Sequence, residues 1–428
     1  MKTTAELYEI FQSYPHVSTD TRKIEPDCLF FALKGENFNG NRFATDALEK
    51  GAAYAVIDEA EYQTDDRCLL VEDVLTALQQ LAHHHRLQLN IPIIGINGTN
   101  GKTTTKELLH AVLRQKYRTL ATKGNLNNHI GVPLTLLEMT AETEIAIIEL
   151  GANAIGEIAT LCRIAHPTYG LTTNIGKAHM EGFGGLEGAI RGESEQYDYQ
   201  LKTNGTVFIN SQNTILSNMA KRFKQPHFYP ASGDYFHCEY ISADPYIIYR
   251  HENGEEVQTQ LLGAYNFENI AAALCIGKFF EVPAEQANQA VAAYQPSNKR
   301  SQIVARGSNT IILDAYNANP DSMQAAIQNL KAMQAPGKVA ILGDMYELGE
   351  DSPQEHRSIG EQLASAGFNQ VFLCGKLMKD AADAYPEAYY FPQKADLEAH
   401  LQQNPIQQST ILLKASRGIA LETLVDLL

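Results

Sequence analysis

Little in this 428-residue chain can serve as covalent scaffolding. Its six cysteines, Cys28, Cys68, Cys162, Cys238, Cys275 and Cys374, are scattered and form no C-x-x-C pair. That spacing excludes a disulfide framework and a thiolate metal cluster, and reads as reduced core residues. Long apolar runs are also missing: none approaches the ~20 residues that span a bilayer, so no membrane insertion is expected. The opening MKTTAELYEIFQSY reads as an amphipathic helix. It has neither a basic n-region nor an apolar h-region, so a cytoplasmic protein is expected, not an exported one. Positive charge is scarce, with 34 Lys and Arg against 50 Asp and Glu and a net charge of −16. So acidic a chain offers no broad nucleic-acid surface. Phosphates, if bound, must be held by a few placed cations and backbone N–H groups.

What is present is an ordinary globular composition, 44% hydrophobic and 20% charged. The length implies about three domains, since one core rarely grows past ~250 residues. The most informative stretch is GINGTNGKTTTKE, residues 95–107. The β-branched run IPIIGI at 91–96 precedes it, and Leu108, Leu109, Val112 and Leu113 follow at helical spacing. The segment therefore reads strand, glycine loop, helix. In that context Gly98, Thr99, Asn100, Gly101, Lys102, Thr103 and Thr104 form a phosphate loop. The glycines let backbone N–H groups face an anion at the positive end of the helix, Lys102 reaches terminal phosphates, and the Thr103 hydroxyl can ligand Mg2+. The general pattern GxxxxGK[ST] asks for glycine at position 96, where this chain has Ile96. A glycine turn that merely caps a core helix would have no need of Lys102, Thr103 and Thr104 in succession.

Three blocks follow from the patterning: 1–88, 89–299 and 300–428. The first reads as a small α/β unit. Residues 18–22 (STDTR) put hydroxyls and a guanidinium ahead of a strand, suiting a diphosphate or sugar, or else a solvated turn. The helix at 74–89 carries His83, His84 and His85 in a row. Three successive residues cannot share one helix face, so an exposed helix end is expected, not a metal cluster. In the second block Asn125, Asn127 and Asn128 supply amides between glycines, a strand at 145–150 ends in Glu149, and a strand at 169–174 leads to His179. Ligands of doubly wound sheets sit beyond such strand ends. Glu149, His179 and the Thr103 hydroxyl can then ligand divalent cations bridging phosphates. A β-rich stretch covers 235–259, a helix starts near Asn269, and the polar run 294–302 reads as a linker. The third block alternates strands (310–313, 338–342, 370–373, 410–413) with helices, a Rossmann-like domain without a G-x-G-x-x-G of its own. Its polar clusters DAYNANPDSM, LGDMYELG and KASRG all follow strands, where function is expected.

Taken in order, GTNGKTT, ELGANAIGEI, TNIGKAH, LLGAYNFEN, DAYNANPDSM, LGDMYELG and KASRG resemble the Mur ligase family. The resemblance is strongest to the branch that joins D-alanyl-D-alanine to UDP-N-acetylmuramoyl-tripeptide, and it runs from STDTR to KASRG. It implies a three-domain α/β enzyme that uses ATP and Mg2+: a small N-terminal substrate domain, a central P-loop ATPase domain and a C-terminal Rossmann-like domain. The implied activity is an amide ligation through an acyl phosphate, in cytoplasmic peptidoglycan precursor synthesis, by a monomer. By the family pattern, Asn266 and Asn269 lie near the adenine, and Arg300, Asp314 and Asn317 approach the nucleotide. Ser18, Thr21, Arg22, Gly35 and Asn39 would hold the UDP end. Asn127, Asn128, Lys414, Ser416 and Arg417 would face the peptide substrates.

The chain departs from the family at one catalytic position. Fourteen residues after the equivalent of His179 the family usually carries a lysine, carbamylated to give a metal-holding carboxylate; this chain has Glu193. The expectation is that Glu193, with Lys102 and His179, belongs to the catalytic set and replaces the carbamate without CO2 chemistry. Two other readings stay open on the residues: another ligase of the superfamily, such as a folylpolyglutamate synthetase, or a non-catalytic nucleotide binder. A generic P-loop kinase leaves the N-terminal block without a task.

Overall fold

The computed structural model describes residues 1–296 and 300–428. The expected boundary at 299 and part of the linker at 294–302 thus fall outside the described residues. The N-terminal sheet has four parallel strands in the order Val17–Ser18, Leu29–Phe31, Tyr54–Ile57, Cys68–Leu70. Side chains alternate across it, as a strand's two-residue period requires. Leu29, Phe31 and Val56 pack with helices Thr4–Ser13 and Val74–Gln88, while Phe30, Ala55 and Ile57 pack with Ala44–Glu49. The polar turn between strands is the small hairpin Lys34–Gly35 with Phe38–Asn39.

Helix Val74–Gln88 corrects one expectation, because its histidine run is not an exposed end. His85 is buried with Nε2 against Met139 O at 2.9 Å, His83 Nδ1 reaches Ile164 O at 3.1 Å, and His84 stacks edge-on with Tyr8. Three consecutive residues point three ways, and here each direction is a packed neighbour. Through this helix the N-terminal and central units share one apolar core, which runs from Leu7 and Phe11 to Ile148 and Ile209.

The central sheet is six-stranded and wholly parallel: His227–Tyr229, Thr206–Asn210, Tyr169–Thr172, Ile93–Asn97, Ile145–Glu149, Thr119–Ala121. The chain enters in the middle at Ile93–Asn97 and is wound outward in both directions, so strand-end loops diverge on either side of that strand and open a crevice. Register sets Ile96 beside Glu149 and Asn97 beside Thr172, which brings the glycine loop and Glu149 to the same edge. Ile96, where the general loop pattern wants glycine, is a fully buried strand residue; the turn begins only at Gly98. An antiparallel sheet, Cys238–Ala243, Tyr246–His251 and Glu256–Leu262, packs with helix Asn266–Phe279. That helix begins three residues earlier than expected, because Asn266 N bonds Gly263 O at 3.0 Å and its side chain bonds Leu262 O at 2.8 Å.

The C-terminal sheet runs Gln302–Arg306, Asn309–Asp314, Thr410–Lys414, Lys338–Gly343, Gln370–Cys374, Tyr389–Phe391, with only the first strand antiparallel. Gln302 therefore belongs to an edge strand, not to a linker. This sheet has its own two cores; Met180 and Leu262 reach one of them from the central unit. Polar contacts also join it to the central unit, among them Asn319 Nδ2 to Asn100 Oδ1 at 2.9 Å, Lys177 N to Asp321 Oδ2 at 2.7 Å, and the Lys177–Glu355 ion pair.

Candidate active site

Between the central and C-terminal sheets lies a cavity of about 1110 Å³. Its floor is the turn from strand Ile93–Asn97 into helix Lys102–Leu113. Gly98 (φ 121°) and Gly101 (φ 82°) take left-handed backbone there. Neither tolerates a side chain: a Cβ on Gly98 would lie 2.3 Å from Thr173 Oγ1, and one on Gly101 2.4 Å from Asn269 Oδ1. The loop is held from its sides, with Thr99 N on Asn174 O and Asn100 N on Asn174 Oδ1, both at 2.9 Å. The first turn of the helix leaves its own N–H groups without intrahelical partners, aimed as an anion site. Lys102 folds back onto the loop, donating to Gly98 O and to Thr99 O. That ammonium is thus at the loop and exchangeable for a better acceptor.

Glu149 is 2% exposed, and its two oxygens differ. Oε1 accepts Thr103 Oγ1 at 3.1 Å and Asn127 Nδ2 at 2.8 Å; Oε2 is buried with no hydrogen-bond partner. A buried carboxylate oxygen left unmet is costly, and a cation is the partner that resolves it. His179, at a left-handed φ of 51°, lines the same cavity. Burial pushes its imidazole below the usual range, so it is the neutral form that can ligate a metal. Its Nδ1 touches the carboxylate of Glu347, which follows strand Lys338–Gly343 of the C-terminal sheet. Among the described residues no three His, Cys, Asp or Glu side chains converge as a ready metal cage. Mg2+ suits such a site, because it is usually held by one or two carboxylates plus phosphate and water oxygens.

Glu193 sits elsewhere in the set. It is 3% exposed on helix Leu186–Thr203, behind the loop, where Oε2 accepts Asn97 Nδ2 at 2.7 Å and Gly98 N at 2.9 Å. Burial raises its pKa, opposed by Lys102 and by those donors. Its visible action is to pin the start of the glycine turn.

The other anticipated residues divide by place. Thr104, Asn127, Asn128, Asn266, Asn269, Arg300, Asp314, Asn317 and Lys414 line the cavity with the loop. Asn266 and Asn269 bond each other at 2.8 Å, and Asn269 Oδ1 accepts Thr105 Oγ1 at 3.0 Å. Asn128 Oδ1 caps the helix at Gly131, so that amide is already engaged. Lys414 is buried against Asp314 at 2.6 Å, and Arg300 lies over the Tyr316 ring at 3.9 Å. Ser416 and Arg417 do not line the cavity. Ser416 is buried and accepts Tyr346 N at 2.9 Å, a joint between two loops, while the Arg417 guanidinium lies 5.8 Å from the centre of the Tyr316 ring. Ser18, Thr21, Arg22, Gly35 and Asn39 lie on the N-terminal unit, outside the cavity lining. There Arg22 pairs with Asp20 at 2.8 Å and Asn39 donates to Glu59 at 2.9 Å. Sequence reasoning passed over Glu347, Asn319 and Tyr316, each inside a cluster it had flagged only as a string.

A phosphate loop, a buried acidic strand end and a second α/β sheet facing both are the parts an ATP-dependent ligase requires. The comparisons agree. Residues 13–86 match the model described as Mur ligase family, catalytic domain; 96–277 match Mur ligase middle domain; 299–417 match Mur ligase, glutamate ligase domain. The UDP-N-acetylmuramoyl-tripeptide–D-alanyl-D-alanine ligase of Bacillus subtilis is 36% identical over 96% of this chain and 92% of its own. Among solved structures, MurF of Acinetobacter baumannii superposes with a TM-score of 0.87 at 32% identity, over 96% of this chain and 92% of that one. MurF of Thermotoga maritima in complex with ADP gives 0.86 at 25% identity, over 100% and 98%. The chain belongs to the Mur ligase family.

Proposed function

We propose that this chain joins D-alanyl-D-alanine to UDP-N-acetylmuramoyl-tripeptide at the expense of ATP, as a cytoplasmic monomer in peptidoglycan precursor synthesis. Its domains are residues 1–88 for the UDP end, 89–299 for ATP and 300–428 for closing the site. The observation that carries the reading is the unpartnered Glu149 Oε2 beside Thr103 at the phosphate loop, inside a cavity walled by both larger sheets. Support for the membrane-free part is that, among the described residues, no helix is long and apolar enough to cross a bilayer.

The tripeptide carboxylate attacks the γ-phosphorus of ATP, giving an acyl phosphate and ADP. The dipeptide amine then attacks the acyl carbon, and phosphate leaves as the amide forms. Two anions must meet in the first step, so charge neutralisation dominates its barrier. Lys102 leaves the loop carbonyls for the transferring phosphoryl group. Thr103, Glu149 and His179 would hold Mg2+, which would supply the remaining positive charge. Asn266 and Asn269 set the adenine side, Arg300, Asp314 and Asn317 approach from the C-terminal side, and Lys414 with Asn127 and Asn128 faces the peptides. Glu193 acts through the loop: by holding Asn97 and Gly98 it keeps the turn in its anion-binding form, as a native carboxyl side chain that needs no bicarbonate. The test is phosphate release with UDP-N-acetylmuramoyl-tripeptide, D-alanyl-D-alanine, ATP and Mg2+, omitting each in turn. Release should require all four; release without the dipeptide or the tripeptide would contradict the assignment.

A further inference from the structure

His179 reaches the cavity from the central sheet, but the group packed against it comes from the other side. The Glu347 carboxylate touches Nδ1, while Nε2 has no hydrogen bond among the described residues. Glu347 is held in its loop by contacts with neighbouring segments. It holds a left-handed φ of 63°, which a residue with a side chain keeps only when its surroundings impose it. They do so here. Met345 N donates to His356 Nε2 at 3.0 Å, Tyr346 N to Ser416 Oγ at 2.9 Å, and Glu181 N to Glu347 O at 3.3 Å. His356 is itself fully buried, with Nδ1 on Ser352 O at 2.7 Å, which leaves Nε2 as the acceptor for Met345.

An imidazole that ligates a cation through one nitrogen is set in place when the other faces a carboxylate. In this chain that carboxylate is carried by a different sheet from the imidazole. We propose that Glu347 is a positioning residue for His179: it orients the ring with Nε2 free for a divalent cation, so that the cation is bound at full strength only while the C-terminal sheet is docked. Metal binding and docking then reinforce each other, since such coupling is reciprocal. The inference rests on the function proposed above, in which His179 is a metal ligand.

The Glu347 side chain is 57% exposed, so its replacement should leave folding intact. The experiment titrates Mn2+ by electron paramagnetic resonance into the full chain with a non-hydrolysable ATP analogue. Four variants accompany the wild type: Glu347→Ala, Glu347→Gln, His179→Ala and Glu355→Gln. The last breaks the Lys177–Glu355 pair, another joint across the same boundary that does not touch His179. Glu347→Ala and His179→Ala should each weaken Mn2+ binding by about 10- to 100-fold. Glu347→Gln, which keeps an acceptor oxygen, should fall between, and Glu355→Gln, which loosens the joint but leaves the Glu347–His179 contact, should weaken binding less than Glu347→Ala does. Unchanged binding in Glu347→Ala, with weakened binding in His179→Ala, would overturn the role of Glu347 and leave the proposed function standing. Equal weakening in Glu355→Gln would also overturn it, by tracing the effect to docking alone. Unchanged binding in His179→Ala would instead remove the metal-ligand reading on which the inference rests.

Discussion

Replacing Gly101 by alanine tests how tightly the phosphate loop is specified. At φ 82° an L-residue pays roughly 1–2 kcal/mol in local backbone energy. The new methyl carbon would also stand 2.4 Å from Asn269 Oδ1, well inside van der Waals contact. Asn269 is poorly placed to yield: it is 5% exposed, with Oδ1 bonded to Thr105 Oγ1 and Nδ2 to Asn266 Oδ1. Moving its amide breaks a buried hydrogen bond, at about 1–3 kcal/mol. Together Gly101→Ala should cost about 2–5 kcal/mol and weaken ADP binding. The built-in control is Gly35→Ala, where nothing lies within 4 Å of the added carbon and the shift should stay within about 0.5 kcal/mol. Adding Asn269→Ala to Gly101→Ala should be less harmful than the sum of the two single changes, because the obstruction is gone. Urea unfolding and calorimetric ADP titration supply the readouts. The reasoning is refuted if Gly101→Ala is as stable, and binds ADP as well, as Gly35→Ala.

Other expectations follow from single groups. Glu149→Gln removes the unpartnered charged oxygen while keeping the shape, so unfolding free energy should change by no more than about 1 kcal/mol. ATP-dependent turnover should nevertheless fall by about 100-fold or more, and a stability loss with retained turnover would count against a metal role. Asp314→Ala strands the buried Lys414 ammonium and should cost about 3–5 kcal/mol, part of it recovered by adding Lys414→Met; denaturant midpoints decide this. His85, His110 and His356 are all held below the usual imidazole range, chiefly by burial. The native state therefore binds fewer protons than the unfolded one. Stability should be full above about pH 6.5 and decline as pH falls from there toward the depressed values, with His85→Gln showing a shallower decline.

Several elements could be read from residues because local chemistry and fold agree on them. The loop at 95–107 has glycines at the two left-handed positions, an apolar strand before it and a periodic helix after it, so its context was visible without coordinates. Glu149 was found because it ends an unbroken buried strand. Other features depend on which surfaces meet. The histidine run was misjudged because its partners, Met139 O, Ile164 O and Tyr8, are distant in sequence and carry no periodic signature. Ser416 is placed facing the peptides by the family resemblance alone, and its bond to Tyr346 N, seventy residues away, has no signature in the string. Short edge strands such as Gln302–Arg306 and Tyr389–Phe391 are too brief to show a pattern, and neighbouring strands supply the order they lack. Glu347 lies in a flagged string, but only the docking of two sheets brings it to His179.

The central claim is that the tripeptide carboxylate becomes phosphorylated in the cavity above the Gly98 to Thr104 turn. It is tested most directly with UDP-N-acetylmuramoyl-tripeptide whose reacting carboxylate carries 18O, turned over with ATP, Mg2+ and D-alanyl-D-alanine. Mass spectrometry of the released phosphate should find one carboxylate-derived 18O per phosphate, and no such phosphate when Lys102 is replaced by alanine. Phosphate free of label would contradict the account, because its oxygen would then have come from water and no acyl phosphate would have formed.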